Sequence, residues 1–386
     1  MKRTSTRLLS IDVFRGLTVA LMILVNSLDD NHGYRWLAHS SWNGCTLADV
    51  VFPFFIFIVG VSVALSITAL RAKGFNTSRL IHKTAKRTAF LFMIGLLLNA
   101  YPNHFDPDTI RIFGVLQRIA ICYFFSSLLF LTTRIRTQAI IIVALLIVYW
   151  LAMTLIPVPG FGAGNLAYEG NFAAYIDGLL IPAKHLYHGG LDPEGIISTF
   201  PAIATALLGN LLGAWLLSGQ HYKTHLIGMG SAGIAAMITG WVWGMAFPIN
   251  KILWTSSYVL WTAGLALIVF TFCYWLVEIK RWQKWFKPFE IFGTNAMTAF
   301  IIHVIFLKTQ ALLFLKTSAG DLINLRQFLT EHLFGWTTLQ QASFYYGITF
   351  TLFWLMVIAF LNYCRFSYQQ LRVNNARCHE ILKVLQ

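Results

Sequence analysis

Residues 26–60 read N-S-L-D-D-N-H-G-Y-R-W-L-A-H-S-S-W-N-G-C-T-L-A-D-V-V-F-P-F-F-I-F-I-V-G. An apolar run, L-M-I-L-V, stops at Asn26; a short polar and aromatic loop follows, and a second apolar run begins with Asp49 near its start. Polar groups between two membrane-crossing segments are candidates for chemistry, because lipid offers them no partners. An imidazole is the side chain most easily poised to move protons near neutral pH, so His39 stands first. Pro53, inside the second run, frees a backbone carbonyl and is expected to kink the helix and open space beside the loop.

The whole chain repeats this pattern. Its 386 residues are 57% hydrophobic and only 11% charged, well below the roughly 25% charged fraction of soluble domains. Apolar runs near the ~20 residues that cross the hydrocarbon core lie at 11–28, 47–70, 88–101, 113–131, 138–156, 196–218, 224–247, 254–277, 289–308 and 343–363. The expected fold is therefore an all-α polytopic membrane protein of about ten transmembrane helices, with residues 1–386 forming a single transmembrane domain.

A net charge of +14 would suggest nucleic acid in a soluble chain, but here it is read against topology, and no nucleic-acid partner is expected. With a cytoplasmic N-terminus, twenty of the 29 Lys and Arg residues fall in segments 1–7, 71–87, 132–137, 219–223, 278–287 and 365–386, and seven face the other side. Both termini are thus expected in the cytoplasm, with His39 facing outward. The five cysteines are scattered without C-x-x-C spacing, so neither a disulfide framework nor a metal site is expected. The leader M-K-R-T-S-T-R precedes an apolar run that holds Asp12 and Arg15 and lacks a clear cleavage site, so the first helix is read as uncleaved.

Other candidates follow in chain order. Asp12 and Arg15, three apart on one face, can pair or admit a cytoplasmic ligand. Asn26 can cap or bond between helices, or donate to a developing oxyanion. Around His39, Trp42 offers an aromatic face for a flat ligand, Asn43 and Gly44 signal a turn, and Asp49 can orient an imidazole. The basic segment before 88–101, with Lys86 and Arg87, is either a topology determinant or a site for phosphates. Gln117 and Arg118 lie inside a span, where an arginine is a functional-site hypothesis with ligand contact and structural pairing both open.

The segment 157–195 is too long for a passive connector and is expected to be a lid or binding loop. Its Asp192 and Glu194 can bind an acceptor or cap the next helix. Gly209 and Gly213 form a G-x-x-x-G read as close helix packing. Asn250 and Lys251 occupy a further outward turn; Asn295 and His303, within apolar surroundings, either satisfy interhelical bonds or line a tunnel. Segment 309–342 is expected to be an amphipathic surface helix. No P-loop, G-x-S-x-G, H-E-x-x-H or Rossmann fingerprint appears in its required context.

The segments S-I-D-V-F-R-G-L-T-V-A-L-M-I-L-V-N, L-A-H-S-S-W-N-G-C-T-L-A-D-V-V-F-P-F-F-I-F-I-V-G, R-I-F-G-V-L-Q-R-I, D-P-E-G-I-I-S-T and F-P-I-N-K-I-L-W-T-S-S-Y resemble the heparan-α-glucosaminide N-acetyltransferase family, membrane proteins that pass an acetyl group from cytoplasmic acetyl-CoA to an amino sugar across the bilayer. The resemblance implies that His39 matches the family's catalytic histidine and Asn26 its essential asparagine. It implies acetyl-CoA as co-substrate; the residues themselves offer Lys86, Arg87 and Arg118, with Gln117 beside them, as candidates to hold it. Trp42, Asn43, Asp49, Asp192, Glu194, Asn250 and Lys251 are placed toward the acceptor. The sequence departs from the animal lysosomal enzyme by opening almost directly on the first span, and in this it resembles bacterial relatives of the inner membrane. By analogy the acceptor is an amino sugar from cell-wall or glycan turnover. Two other readings, a small-metabolite transporter and an O-acyltransferase acting on a glycan hydroxyl, stay open, as does a homo-oligomer.

Overall fold

The computed structural model describes residues 8–28, 33–101, 105–187, 190–316 and 322–384, with side chains as far as 365. The basic leader and the side chains of the C-terminal basic segment, Cys378 among them, lie outside the described residues. The elements are α1 (Leu9–Ser27), α2 (Leu47–Ala72), α3 (Thr77–Ala100), α4 (Val115–Thr132), α5 (Ile135–Leu155), α6 (Phe172–Leu180), α7 (Ile196–Leu216), α8 (Tyr222–Gly244), α9 (Ser256–Tyr274), α10 (Lys287–Thr294), α11 (Ala296–Leu312), a hairpin β1 (Phe314–Lys316) and β2 (Leu322–Asn324), α12 (Leu325–Phe334) and α13 (Leu339–Val384).

Among the described residues, eight helices are long and apolar enough to cross a membrane, or nine if α10 and α11, bent by 81°, count as one broken span. The expected tenth span, 88–101, is the second half of α3. The first half of that helix carries Arg79, Lys83, Lys86 and Arg87. The apolar remainder is ~21 Å long at 1.5 Å per residue, short of the ~30 Å core.

The chain divides into two compact units, Met1–Ile11 with Tyr34–Arg281, and Asp12–Gly33 with Trp282–Gln386. In the first, α2 and α7 pack backbone to backbone. A Cβ on Gly60 would lie 1.9 Å from the Ala206 carbonyl oxygen, and one on Gly209 2.0 Å from that of Phe57. Gly213 meets Ala64 and Val61 in the same seam. The G-x-x-x-G is thus a packing motif, as its spacing suggests. An apolar core of Phe52, Ile56, Cys122, Ile142, Leu146, Ala202, Ala206, Trp254 and Tyr258 joins these helices to α4, α5 and α9.

Helix α2 runs through Pro53, which cannot donate to the carbonyl of Asp49 one turn back. The Tyr258 hydroxyl takes that carbonyl at 2.6 Å. The connections before α2, α4, α7 and α9 converge at one end of the unit: Gly44 N donates to Ile249 O at 2.8 Å, Ile112 N to His185 O at 3.2 Å, and Trp42 Nε1 to Leu166 O at 3.1 Å.

In the second unit, Arg15 pairs with Asp12 at 3.2 Å and donates to Gly293 O. Asn295 sits at the break between α10 and α11. Its amide donates to Ile291 O at 2.9 Å, a carbonyl left over where the helix bends, and contacts Asn362 of α13. The expected surface helix over 309–342 is corrected: α11 ends at Leu312, the hairpin pairs Leu315 with Ile323, and helix resumes as the short α12, Leu325–Phe334, before α13 opens at Leu339. Asn324 restarts the helix by accepting from Gln327 N, an N-cap that separates strand from helix.

Candidate active site

The sharp turn before α2 is built around Asp49, the third residue of the helix. Its Oδ2 accepts from Thr46 N, Thr46 Oγ1 and Ser40 N, each at 3.0 Å, so the carboxylate caps the helix and ties down the loop that leads into it. Its Oδ1 receives His39 Nδ1 at 2.8 Å. Asp49 is fully buried whereas the His39 side chain is 51% exposed. A buried, fully hydrogen-bonded carboxylate holding one ring nitrogen fixes the orientation of the imidazole. With Nδ1 donating, the Nε2 lone pair is the one free for proton transfer.

Lys251 completes this cluster from the connection between α8 and α9. Its Nζ lies 2.9 Å from His39 Nδ1, 3.3 Å from His39 Nε2 and 3.5 Å from Asp49 Oδ1. A donor in the ring plane aimed at one nitrogen could not come so near the other. The ammonium therefore lies over the face of the imidazole, leaving the in-plane bond to Asp49 intact. Burial pushes the Lys251 amine down from its ordinary value, against the pull of the Asp49 and Glu194 carboxylates.

The loop that carries Lys251 is internally braced. Leu253 N donates to Asn250 Oδ1 at 2.9 Å, Asn250 N to Thr255 Oγ1 at 3.1 Å, and Asn250 Nδ2 to Asn43 Oδ1 at 3.3 Å. Trp254 holds a left-handed backbone conformation (φ 53°) and is buried between Phe52 and Tyr258. Strain of this kind persists only where surroundings over-determine it. Trp42, half-buried, packs edge-on against Tyr168 of the long segment before α7, so that segment does form part of the wall of this loop cluster.

Asp192 and Glu194 belong to a second polar cluster of the same unit. Both pair with Arg111, whose Nε reaches Asp192 Oδ2 at 2.9 Å. Burial opposes the Arg111 charge, but the two carboxylates outweigh it and raise its pKa. Neither acid caps α7. Asp192 turns back to accept from Glu194 N at 2.9 Å, and Asp177 at the end of α6 takes Ile196 N at 3.0 Å and Ile197 N at 3.2 Å. Asp177 is buried, which pushes its carboxyl up to about 6 despite those two bonds.

Arg118 is fully buried. It lies 5.0 Å over the Trp254 ring and donates to Gly195 O and Ser198 Oγ, while its Nε and Nη1 meet no protein acceptor. Gln117 is buried beside Gly95, its Nε2 likewise unpartnered. Lys86 and Arg87 are exposed on α3, with the Arg87 guanidinium 5.0 Å over the Tyr123 ring.

Asn26 is in the other unit, exposed at the end of α1. His303 Nδ1 donates to Ala299 O at 2.8 Å, which leaves Nε2 to accept from the Asn26 amide at 3.5 Å.

A model of the family described as heparan-alpha-glucosaminide N-acetyltransferase, catalytic, matches residues 7–240. The chain belongs to that family. The human heparan-alpha-glucosaminide N-acetyltransferase is 32% identical to it over 364 residues, 78% of this chain and 53% of the relative. The mouse protein of the same name is 31% identical over 359 residues, 78% and 54% respectively. The chain spans about half the length of these curated relatives. Within the heparan-alpha-glucosaminide N-acetyltransferase match lie His39, Asp49, Gln117, Arg118, Asp192 and Glu194, while Asn250 and Lys251 fall beyond residue 240.

Reading the residues alone missed Tyr258, Thr46, Arg111 and Asp177, and saw Lys251 only as an acceptor contact. For Tyr258 a signal existed: Pro53 announces a carbonyl in need of a donor. For the others the signal is tertiary.

Proposed function

We propose that this protein is an acetyl-CoA-dependent N-acetyltransferase. It moves an acetyl group from cytoplasmic acetyl-CoA to the amine of an amino sugar on the far side of a bacterial inner membrane. Residues 1–386 act as one transmembrane acyltransferase domain with both termini in the cytoplasm. The observation that carries this reading is the half-exposed His39 imidazole, oriented through Nδ1 by buried Asp49, in a chain of this family.

In the proposed reaction His39 Nε2 removes a proton from the acceptor amine as it attacks the thioester, or takes the acetyl group first and passes it on. Asn26 donates to the carbonyl oxygen as it becomes negative. An amide nitrogen has two hydrogens, so the bond to His303 Nε2 leaves one for that purpose. Trp42 and Asn43 form the acceptor's platform with Asn250 and Lys251, and Asp192 and Glu194, shared with Arg111, form its polar rim. Lys86 and Arg87, exposed on α3, receive the phosphates of the donor. Arg118 and Gln117 keep unpartnered donors for the polar arm of CoA, which requires an opening beside α4.

The test is incubation of purified full-length protein with labelled acetyl-CoA and a panel of amino sugars and alcohols. An N-acetylated sugar that disappears with His39→Ala is the expected product. An O-acetylated product would replace the substrate class, and thioester consumption retained in His39→Ala would end the catalytic assignment. Rapid quenching separates the two routes: an acetyl adduct on His39 formed without acceptor marks the relay.

A further inference from the structure

We propose that Lys251 is itself an acetyl acceptor: without an amino sugar, its ε-amine takes the acetyl group and becomes an acetyl-lysine beside His39. The inference rests on the acetyltransferase reading above. An acceptor amine needs a carboxylate to attract it and an imidazole to receive its proton, and Lys251 has both. Its Nζ lies 3.5 Å from Asp49 Oδ1 and 3.3 Å from His39 Nε2. The braced loop around Asn250 fixes the backbone that carries the amine, so only rotations within the Lys251 side chain separate it from attack.

Two further features favour this amine over its neighbours. Its burial disfavours the ammonium, so more of it is the neutral nucleophile than on an exposed lysine. The thiol of Cys45, on the loop before α2, is pushed up to about 12 by burial and is not a thiolate at neutral pH.

In the step, the neutral amine attacks the thioester carbonyl carbon; a C–N bond forms, the C–S bond breaks, and CoA leaves. Attack turns Nζ off the ring face, so that its proton meets the in-plane lone pair of His39 Nε2 and passes from there to the departing thiolate. Acetyl-CoA and lysine give amide and CoA thiol, with no change of oxidation state. The amide carries no charge, so the contact with Asp49 is lost, and bound amino sugar protects the enzyme by competing for the acetyl group.

The experiment incubates full-length protein with isotopically labelled acetyl-CoA, with and without a panel of amino sugars, and reads label on each lysine by peptide mass spectrometry. Exposed Lys86, Lys184 and Lys223 report background acetylation. Label at Lys251 at least tenfold above them is expected, suppressed by amino sugar and returned to background in both His39→Ala and the closer isostere His39→Gln. Label at Lys251 no higher than on the exposed lysines, in a preparation that acetylates a sugar, overturns this proposal and leaves the acetyltransferase reading standing. A preparation that labels neither overturns both.

Discussion

Tyr258 donates its hydroxyl to the main-chain carbonyl of Asp49 at 2.6 Å, across 209 residues of sequence. The carbonyl is available because Pro53 has no N–H to offer it. The residue that orients His39 is therefore held at its side chain by the loop and at its backbone by α9. Tyr258→Phe leaves the buried carbonyl without a donor, at a cost of about 1–3 kcal/mol. Thermal unfolding in detergent should show a lowered midpoint, and an unchanged midpoint would mean that water or another group replaces the hydroxyl.

Asp49→Asn keeps an oxygen for Ser40 N and Thr46 N but presents an amide to one side. If the oxygen keeps the helix cap, the NH₂ faces His39 Nδ1 and favours the tautomer with its proton on Nε2, where the base is needed. The acetyl-transfer kcat should fall about 10²- to 10⁴-fold, the range for a misplaced acid–base group. The midpoint of unfolding should move much less than the rate. A loss under tenfold would detach Asp49 from the chemistry.

Asp177 links pH to stability. Its carboxyl is raised from 3.8 to about 6 by burial, so the folded state binds the proton more tightly than the unfolded chain. Its contribution is fully present below 3.8 and is lost as pH rises through about 6. Asp177→Asn can still accept from Ile196 N and Ile197 N but carries no charge to bury. Between pH 4 and pH 7 the variant should therefore gain on the wild type, by roughly 3 kcal/mol at most. Parallel melting curves at the two pH values would contradict this.

Asn26→Ala removes one proposed oxyanion donor and should lower kcat by about 10²–10³ with little change in the KM for acetyl-CoA. His303→Ala leaves the Asn26 amide present but unguided, and a smaller fall is expected. If the two variants lose activity through KM instead, Asn26 contacts the donor in its ground state, and the oxyanion role is excluded.

Much of the cluster around His39 was legible from short-range pattern. His39, Trp42, Asn43 and Asp49 lie within one loop and one helical turn, and the pairing of His39 with Asp49 spans only ten residues. The close packing of α7 was legible as well, because a glycine pair one turn apart permits close approach wherever its partner comes from, though not that the partner is α2. The hairpin before α12 was not, since its strands are three residues each and alternate too briefly to be told from a helix face. The cap of α7 stayed open because Asp192 and Asp177 are equally suited to the role by type; only the turn of the D-P-E-G segment and the course of α6 choose between them.

The membrane-helix class follows from sequence alone, because the length of an apolar run is a property of consecutive residues and the bilayer measures it directly. Which polar groups meet is another matter. Lys251 reaches His39 across 212 residues and Arg111 reaches Asp192 across 81. Charge and hydrogen-bonding capacity say only that each needs a partner. The packing of α2, α4, α7 and α9, which brings their leading loops to one end of the unit, decides who that partner is.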